Sequence, residues 1–273
     1  MNAIPVFLYH AVSDDPPAWL APFTVTPRTF VEQLDMIADS GLRLVPLGQL
    51  VAALLGGPQP PPRSAVLTFD DGYADFASTV APLLHARGLP ATLYVTTGAL
   101  RIPGQRSRRG PGPFPSVDML TWAQVRELDA AGFEIGGHSR THPQLDTLPR
   151  KAVREEVGGC KRELEDALGH APDAFAYPHG YSSSRVRALV GESGWTSAAA
   201  IRAASAHSSP RDDPLWFARL MVRADTSRER FGQWTRGEGA PVAPFAEGVR
   251  TRGWRAYRRL RASVGRPYRA LPT

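Results

Sequence analysis

Two adjacent carboxylates, Asp70 and Asp71, and two imidazoles four residues apart, His138 and His142, are the side chains whose types and spacing point to chemistry. Two histidines and one carboxylate make a facial donor set for Zn²⁺ or another transition-metal ion, with positions left for water and substrate. On a helical or turn-like backbone, a spacing of four puts both imidazoles on one face. On an extended backbone, neighbouring side chains point to opposite sides, so Asp70 and Asp71 meet different neighbours and can hold different jobs. Read alone, Asp-Asp-Gly is also a turn with two solvated carboxylates, and His-x-x-x-His by itself is a weak signal. Both pairs follow apolar runs, so two strand ends would converge on one mouth.

The elements that must position them can be read from the apolar pattern. Ala65 to Phe69 runs straight into the carboxylates and Gly72, the look of a buried parallel strand. In α/β proteins the C-terminal end of such a strand faces the active site. Phe133 to Gly137 is a second strand and delivers His138. Ile4 to Tyr9 ends at His10, Ala91 to Val95 is another core strand, and Ala174 to Tyr177 ends at Pro178-His179-Gly180. Thr196 to Ile201 and Phe217 to Arg223 complete the set.

Helical patterns lie between them. Thr26-Pro27 opens one as cap and first-turn proline, Ala74 to Arg87 carries another, and Thr121 caps a third that stops at Gly132. Arg150 to Leu168 is charged and helical, with a bend or close packing expected at Gly158-Gly159. Arg185 to Ser193 and the region of Phe231 and Trp234 follow. Arg101 to Pro115 is the longest irregular stretch and reads as a loop. Alternation without internal repeats argues for a parallel α/β sheet or barrel.

The chain has 273 residues, enough for one such domain, and a single cysteine, Cys160, so no intramolecular disulfide can form. No run of 18 apolar residues and no targeting segment is visible, and a cytoplasmic location is expected. The formal charge is +6, yet eight arginines and no acid fall between Arg250 and Arg269, leaving the rest at −2. Trp254, Tyr257, Leu260 and Val264 recur at helical spacing among those arginines. That pattern suits either a basic amphipathic helix, fit for an anionic membrane or a phosphate-bearing substrate, or a disordered solubilising tail. No nucleic-acid motif accompanies the charge. The expected division is a domain over 1–235 and an Arg-rich tail over 236–273.

Thr68-Phe69-Asp70-Asp71-Gly72-Tyr73, then His138-Ser139-x-x-His142, then Phe175-Ala176-Tyr177-Pro178-His179-Gly180, resembles the polysaccharide deacetylases, the NodB-homology or carbohydrate esterase group. The resemblance runs from about Ile4 to Asp225 and includes the Tyr9-His10 opening. It implies a distorted (β/α) barrel of about seven parallel strands. It implies a metal-dependent hydrolase removing an N-acetyl group from an amino sugar in a saccharide, glycolipid or glycosylated metabolite precursor. By the same resemblance Asp71, His138 and His142 hold a divalent ion, Zn²⁺ first and Co²⁺, Ni²⁺ or Fe²⁺ as substitutes. Asp70 is then the general base, and the backbone N–H of His179 steadies the oxyanion.

Two positions depart from the family pattern. Ala176 stands where many members have an arginine that steers the base. Leu220-Met221-Val222-Arg223 lacks the late histidine that protonates the leaving amine. His10 is the candidate replacement if the first strand lies beside the last; otherwise it packs or makes a structural hydrogen bond. Tyr73, Trp122 and Trp195 are expected either in a sugar-stacking groove or in the core. The rival readings are hydrolysis of a non-sugar amide or formamide on the same scaffold, and an inactive carbohydrate-binding protein.

Overall fold

The computed structural model describes residues 3–101, 113–210, 212–244 and 248–264. Seven short parallel strands form its centre: β1 (Val6–Tyr9), β2 (Ser64–Phe69), β3 (Thr92–Val95), β4 (Glu134–Gly137), β5 (Ala174–Ala176), β6 (Ser197–Ala199) and β7 (Leu220–Met221). Their order is β6-β5-β4-β3-β2-β1-β7, and every neighbouring pair is parallel. The segment entering β7 switches partners. Phe217 exchanges backbone hydrogen bonds with Ala198 and Ala200 beside β6, while Leu220 and Met221 pair with Phe7 and Leu8 of β1. That switch closes the sheet into the distorted barrel expected from the sequence. It also shortens the last strand, read from sequence as Phe217 to Arg223, to a regular ladder of two residues.

Period-two alternation sorts the side chains. Phe7, Tyr9, Leu67, Phe69, Leu93, Val95, Ile135 and Phe175 pack outward against the helices, whereas Val6, Val66, Tyr94, Ala174, Ala176 and Phe217 pack together on the other side. β2 is buried along its whole length, as a strand covered on both faces must be.

The helices begin where caps and prolines dictate. α1 (Pro27–Asp39) has the Thr26 side chain accepting the Thr29 N–H, and α4 (Trp122–Ala130) has a reciprocal Thr121–Gln124 capping box. α2 (Leu47–Leu54) has no counterpart in the sequence reading. The expected helix over Ala74 to Arg87 is a wide turn, Phe76–Val80, followed by α3 (Ala81–His85). Pro82 accounts for the widening, because its ring would collide with the carbonyl four residues back in a regular helix.

α5 (Arg150–Leu168) is continuous. A Cβ on Gly159 would lie 2.5 Å from Arg140 Cδ, so Gly159 serves close packing. α6 (Ser184–Glu192), α7 (Arg228–Thr235) and α8 (Val249–Ser263) complete the set. Positions 102–112 of the expected loop, and Arg266 and Arg269, lie outside the described residues. Among the described residues no helix is long and apolar enough to cross a membrane.

Candidate active site

The C-terminal ends of β1, β2, β4 and β5 bring His10, Asp70, Asp71, His138, His142 and His179 to one end of the barrel. Backbone conformation aims them. Asp71, Ser139, His142 and His179 all have positive φ, between 57° and 77°, a region that costs a residue with a Cβ about 1–2 kcal/mol. Gly72 follows at φ 88°, and a Cβ there would press within 3.2 Å of Val95. The surrounding hydrogen bonds hold these conformations. The Thr96 N–H donates to the Asp71 carbonyl, Thr97 N–H to Ser139 and Gly98 N–H to Arg140, which ties the two loops together. The Ser139 hydroxyl oxygen accepts the His142 N–H at 3.0 Å. Glu156 of α5 accepts from the Arg140 N–H, the Thr141 N–H and the Thr141 hydroxyl at 3.0, 2.8 and 2.6 Å.

Asp71, His138 and His142 form a compact cluster. Asp71 Oδ1 lies 3.3 Å from His142 Nε2 and 3.5 Å from His138 Nε2, and the two Nε2 atoms are 3.2 Å apart. Zinc–ligand bonds of about 2.0–2.1 Å in tetrahedral geometry put ligand atoms roughly 3.3 Å apart, so the spacing fits one ion. The tautomer fits as well. His138 Nδ1 donates to the Ala176 carbonyl at 2.8 Å, leaving the Nε2 lone pair facing the cluster.

Burial lowers His138 and His142 from the ordinary histidine range, so both are neutral at neutral pH. Burial, and then the charge of Asp70, push the Asp71 carboxyl well up. The Tyr73 hydroxyl beside it offsets only part of this, and neither Asp71 oxygen has a hydrogen bond of full geometry. A carboxylate so placed is matched by a cation.

Asp70 is treated in the opposite way. Arg219, wholly buried, grips it through two parallel bonds, Nη1 to Oδ1 at 2.6 Å and Nη2 to Oδ2 at 2.7 Å. Burial pushes Asp70 up, but the Arg219 charge, then His138, and the two Arg219 hydrogen bonds outweigh it and leave the carboxyl below its usual range. Arg219 lies 5.4 Å over the Tyr94 ring and reaches Thr68 Oγ1 at 3.3 Å. The arginine that pairs with Asp70 therefore comes from the segment entering β7 and not from position 176. Sequence reasoning missed it. The available signal was a lone arginine inside the apolar run Phe217 to Val222, where an unpaired charge would be costly.

His10 lies at the end of β1, directly beside β7, and is almost fully buried. Burial brings its imidazole down to about 4, with the charge of Asp70 opposing. Its ring packs 5.5 Å from Phe23. His179 lies with its ring 4.5 Å from that of His142, and burial, followed by the His138 charge, lowers it to about 4.

The three aromatic residues considered for a groove divide. Trp195 is in the core against Phe175, and Trp122 packs on the helix layer. Tyr73 joins Phe114 and Trp19, and the Phe114 ring stands 5.1 Å from that of His142. Trp19 and Phe114 were not foreseen. They come from loops whose approach to His142 depends on the closed barrel.

The rim on the His179 side is built with α8. Arg258 is wholly buried, paired with Asp146 at 2.7 Å, bonded to Gln144 at 2.7 Å and stacked 3.5 Å over the Tyr181 ring. The Arg255 guanidinium donates to the Ser182 carbonyl. The Arg-rich segment thus touches the loops that follow His142 and His179.

Comparison with known proteins adds the following. A family model described as polysaccharide deacetylase matches residues 57–198. Chitin deacetylase 1 of Cryptococcus neoformans is 28% identical over 130 residues, covering 48% of this chain and 24% of that protein. The poly-beta-1,6-N-acetyl-D-glucosamine N-deacetylase of Escherichia coli is 31% identical over 110 residues, covering 40% of this chain and 16% of that protein. The chain also spans 60% of the length of a Bacillus subtilis relative that is 22% identical. Among solved structures, the Streptococcus pyogenes deacetylase PplD in complex with acetate superposes with a TM-score of 0.73 at 23% identity, over 87% of this chain and 99% of that one. IcaB from Ammonifex degensii does so with a TM-score of 0.73 at 23% identity, over 86% and 98%. These likenesses show the same fold.

Proposed function

The chain belongs to the polysaccharide deacetylase family, and from that premise we propose that it is a metal-dependent hydrolase removing an N-acetyl group from an amino sugar. The observation that carries the reading is the opposite treatment of two adjacent acids. Asp70 is held ionised by Arg219, while Asp71 lies without a full hydrogen bond against two neutral imidazoles. One carboxylate is ready to take a proton and the other to hold a cation.

Asp71, His138 and His142 would hold a divalent ion, which when bound supplies Lewis-acid polarisation of an amide carbonyl and a more acidic water. Asp70 takes the proton of the attacking water. Arg219 keeps that carboxylate anionic beforehand and orients it. The backbone N–H of His179 donates to the oxyanion, a role inferred from the family. His10, on the strand next to β7, gives a proton to the departing nitrogen, so that acetate and a free amine leave. Being neutral at rest, His10 must first receive that proton, and Asp70, whose charge it already feels, can pass on the one it has taken from the attacking water.

Zinc as the ion and a cytoplasmic site of action belong to the same proposal. The substrate is an N-acetylated saccharide or glycolipid, by analogy with what the relatives are named for. The two departures from the family pattern favour the reading as an inactive binding protein; the Arg219–Asp70 pair and the position of His10 at the end of the strand beside β7 support the hydrolase instead. Acetate release from N-acetylglucosamine oligomers, with metal content measured on the same sample, tests the proposal. Wild type should turn over and Asp70→Asn should not, at equal metal occupancy. Release of formate, or of acetate only from non-sugar amides, would move the substrate class, and no release from any amide despite bound metal would sink the proposal.

A further inference from the structure

α8 is docked the wrong way round for a surface helix of a soluble domain. Such helices turn an apolar stripe inward and charges outward. Here the side chain that is wholly buried is the guanidinium of Arg258, with Arg255 half-buried beside it. The apolar residues face out. With 3.6 residues per turn, Val249 and Leu260 fall about opposite Arg258, and Tyr257 and the C-cap Val264 extend the same stripe to about 100–120° from it. These four apolar residues are, in that order, 83, 65, 46 and 65% exposed. Of the seven large apolar residues exposed among the described residues, these four and Trp254 make five. The same helical phase puts Arg252 and Arg259 along one flank of the stripe and Arg250 and Arg261 along the other. The helix contains six arginines and no acid.

We propose that this face of α8 lies in the interface of an anionic phospholipid membrane and seats the candidate active site against it. An apolar stripe with cations on both flanks is what an interfacial helix needs. The stripe enters the boundary between headgroups and chains, and the guanidinium stems reach back to lipid phosphates. Tyr257 suits that boundary because it combines an apolar body with a polar tip, whereas Trp254, about 40° from Arg258 around the helix, turns its indole N–H to the Tyr181 hydroxyl. A second copy of this chain fits poorly, since pairing two such faces would bring two sets of flanking arginines together without an acid.

The docking puts the membrane near the cleft. Arg258 stacks on Tyr181, the Tyr181 ring lies 5.9 Å from that of His179, and the His179 ring lies 4.5 Å from that of His142. Delivery of a lipid-linked sugar along this path rests on the hydrolase reading above. The docking itself does not.

The test is flotation of the full chain with vesicles of equimolar phosphatidylglycerol and phosphatidylcholine, and with phosphatidylcholine alone. Binding should be at least about tenfold tighter to the anionic vesicles and weaken in high salt. Leu260→Asp should abolish it while leaving the melting temperature and acetate release from a soluble N-acetylated oligosaccharide unchanged, and Arg252→Ala/Arg259→Ala should weaken it. Equal binding to both vesicle types, no binding to either, or anionic binding untouched by Leu260→Asp would each overturn the proposal. So would a dimer in light scattering that Leu260→Asp dissociates, since a second copy would then cover the face. Vesicle binding by a chain that releases no acetate would leave this proposal standing and remove the hydrolase reading, so the two fail separately.

Discussion

Replacing Arg219 with methionine, similar in reach but uncharged, removes both guanidinium bonds to Asp70. Asp70 is only 2% exposed, so water cannot replace them. Leaving one member of a buried ion pair costs about 3–5 kcal/mol, an upper bound here because Asp70 can escape by taking a proton. In the native chain the folded carboxyl sits below its unfolded value of about 3.9. Its contribution to stability is therefore present above about pH 4 and lost as pH falls through the folded value. Without Arg219, burial becomes the dominant influence and the folded value rises above the unfolded one. The variant then loses stability as pH rises from about 4 towards neutrality, opposite to the native contribution.

The gap between urea midpoints of wild type and Arg219→Met should therefore widen from about pH 4 to neutral pH, with equal m-values. Turnover at neutral pH should fall by about 10²–10⁴, and the acid limb of kcat/KM should move to higher pH, because the base is now protonated. Asp70→Asn/Arg219→Met should be more stable at neutral pH than Arg219→Met alone, since no buried charge is left without its partner. A single variant whose neutral-pH midpoint matches wild type, with an unmoved acid limb, would refute the argument that Arg219 sets the charge of Asp70.

Three further predictions follow from the same geometry. His10→Ala should retain its metal and lose about 10²–10⁴ in kcat; full turnover with metal bound would dismiss His10 as the proton donor. Glu156→Ala touches no proposed ligand but frees three hydrogen bonds of the loop between His138 and His142. It should weaken metal affinity by about 10–100-fold in competition with a chelator, and unchanged affinity would show that the loop holds its own shape. Burial raises Asp75 to about 6, so it binds a proton more tightly folded than unfolded and costs stability as pH rises from about 4 to about 6. Asp75→Asn should flatten stability across that window in thermal melts, and a slope identical to wild type would contradict it.

The chemistry of the site was legible because it is local. A buried strand ending in Asp70-Asp71, a second ending at His138, and a four-residue spacing to His142 are written in adjacent residues. Adjacency in sequence brings these groups near one another, and the positive φ of Asp71, Ser139 and His142 sets their direction. The strand–helix alternation also announced a parallel α/β sheet or barrel, since period two and period 3.6 survive without any tertiary information, and the family resemblance chose the barrel. The approximate ends of most elements followed from caps and prolines such as Thr26-Pro27 and Thr121.

The pairings across the barrel were not legible. Arg219 stands 149 positions from Asp70, and the two meet only because the segment entering β7 crosses from β6 to β1 as the barrel closes. A bidentate ion pair is specified by where two strands finish, and that is a property of closure, invisible in either stretch alone. The outward apolar face of α8 is a similar case. Its amphipathic pattern is plain in the sequence, but which side is buried was decided by Asp146, Gln144 and Tyr181. These residues offer a guanidinium more than an aliphatic side chain would gain from the same surface.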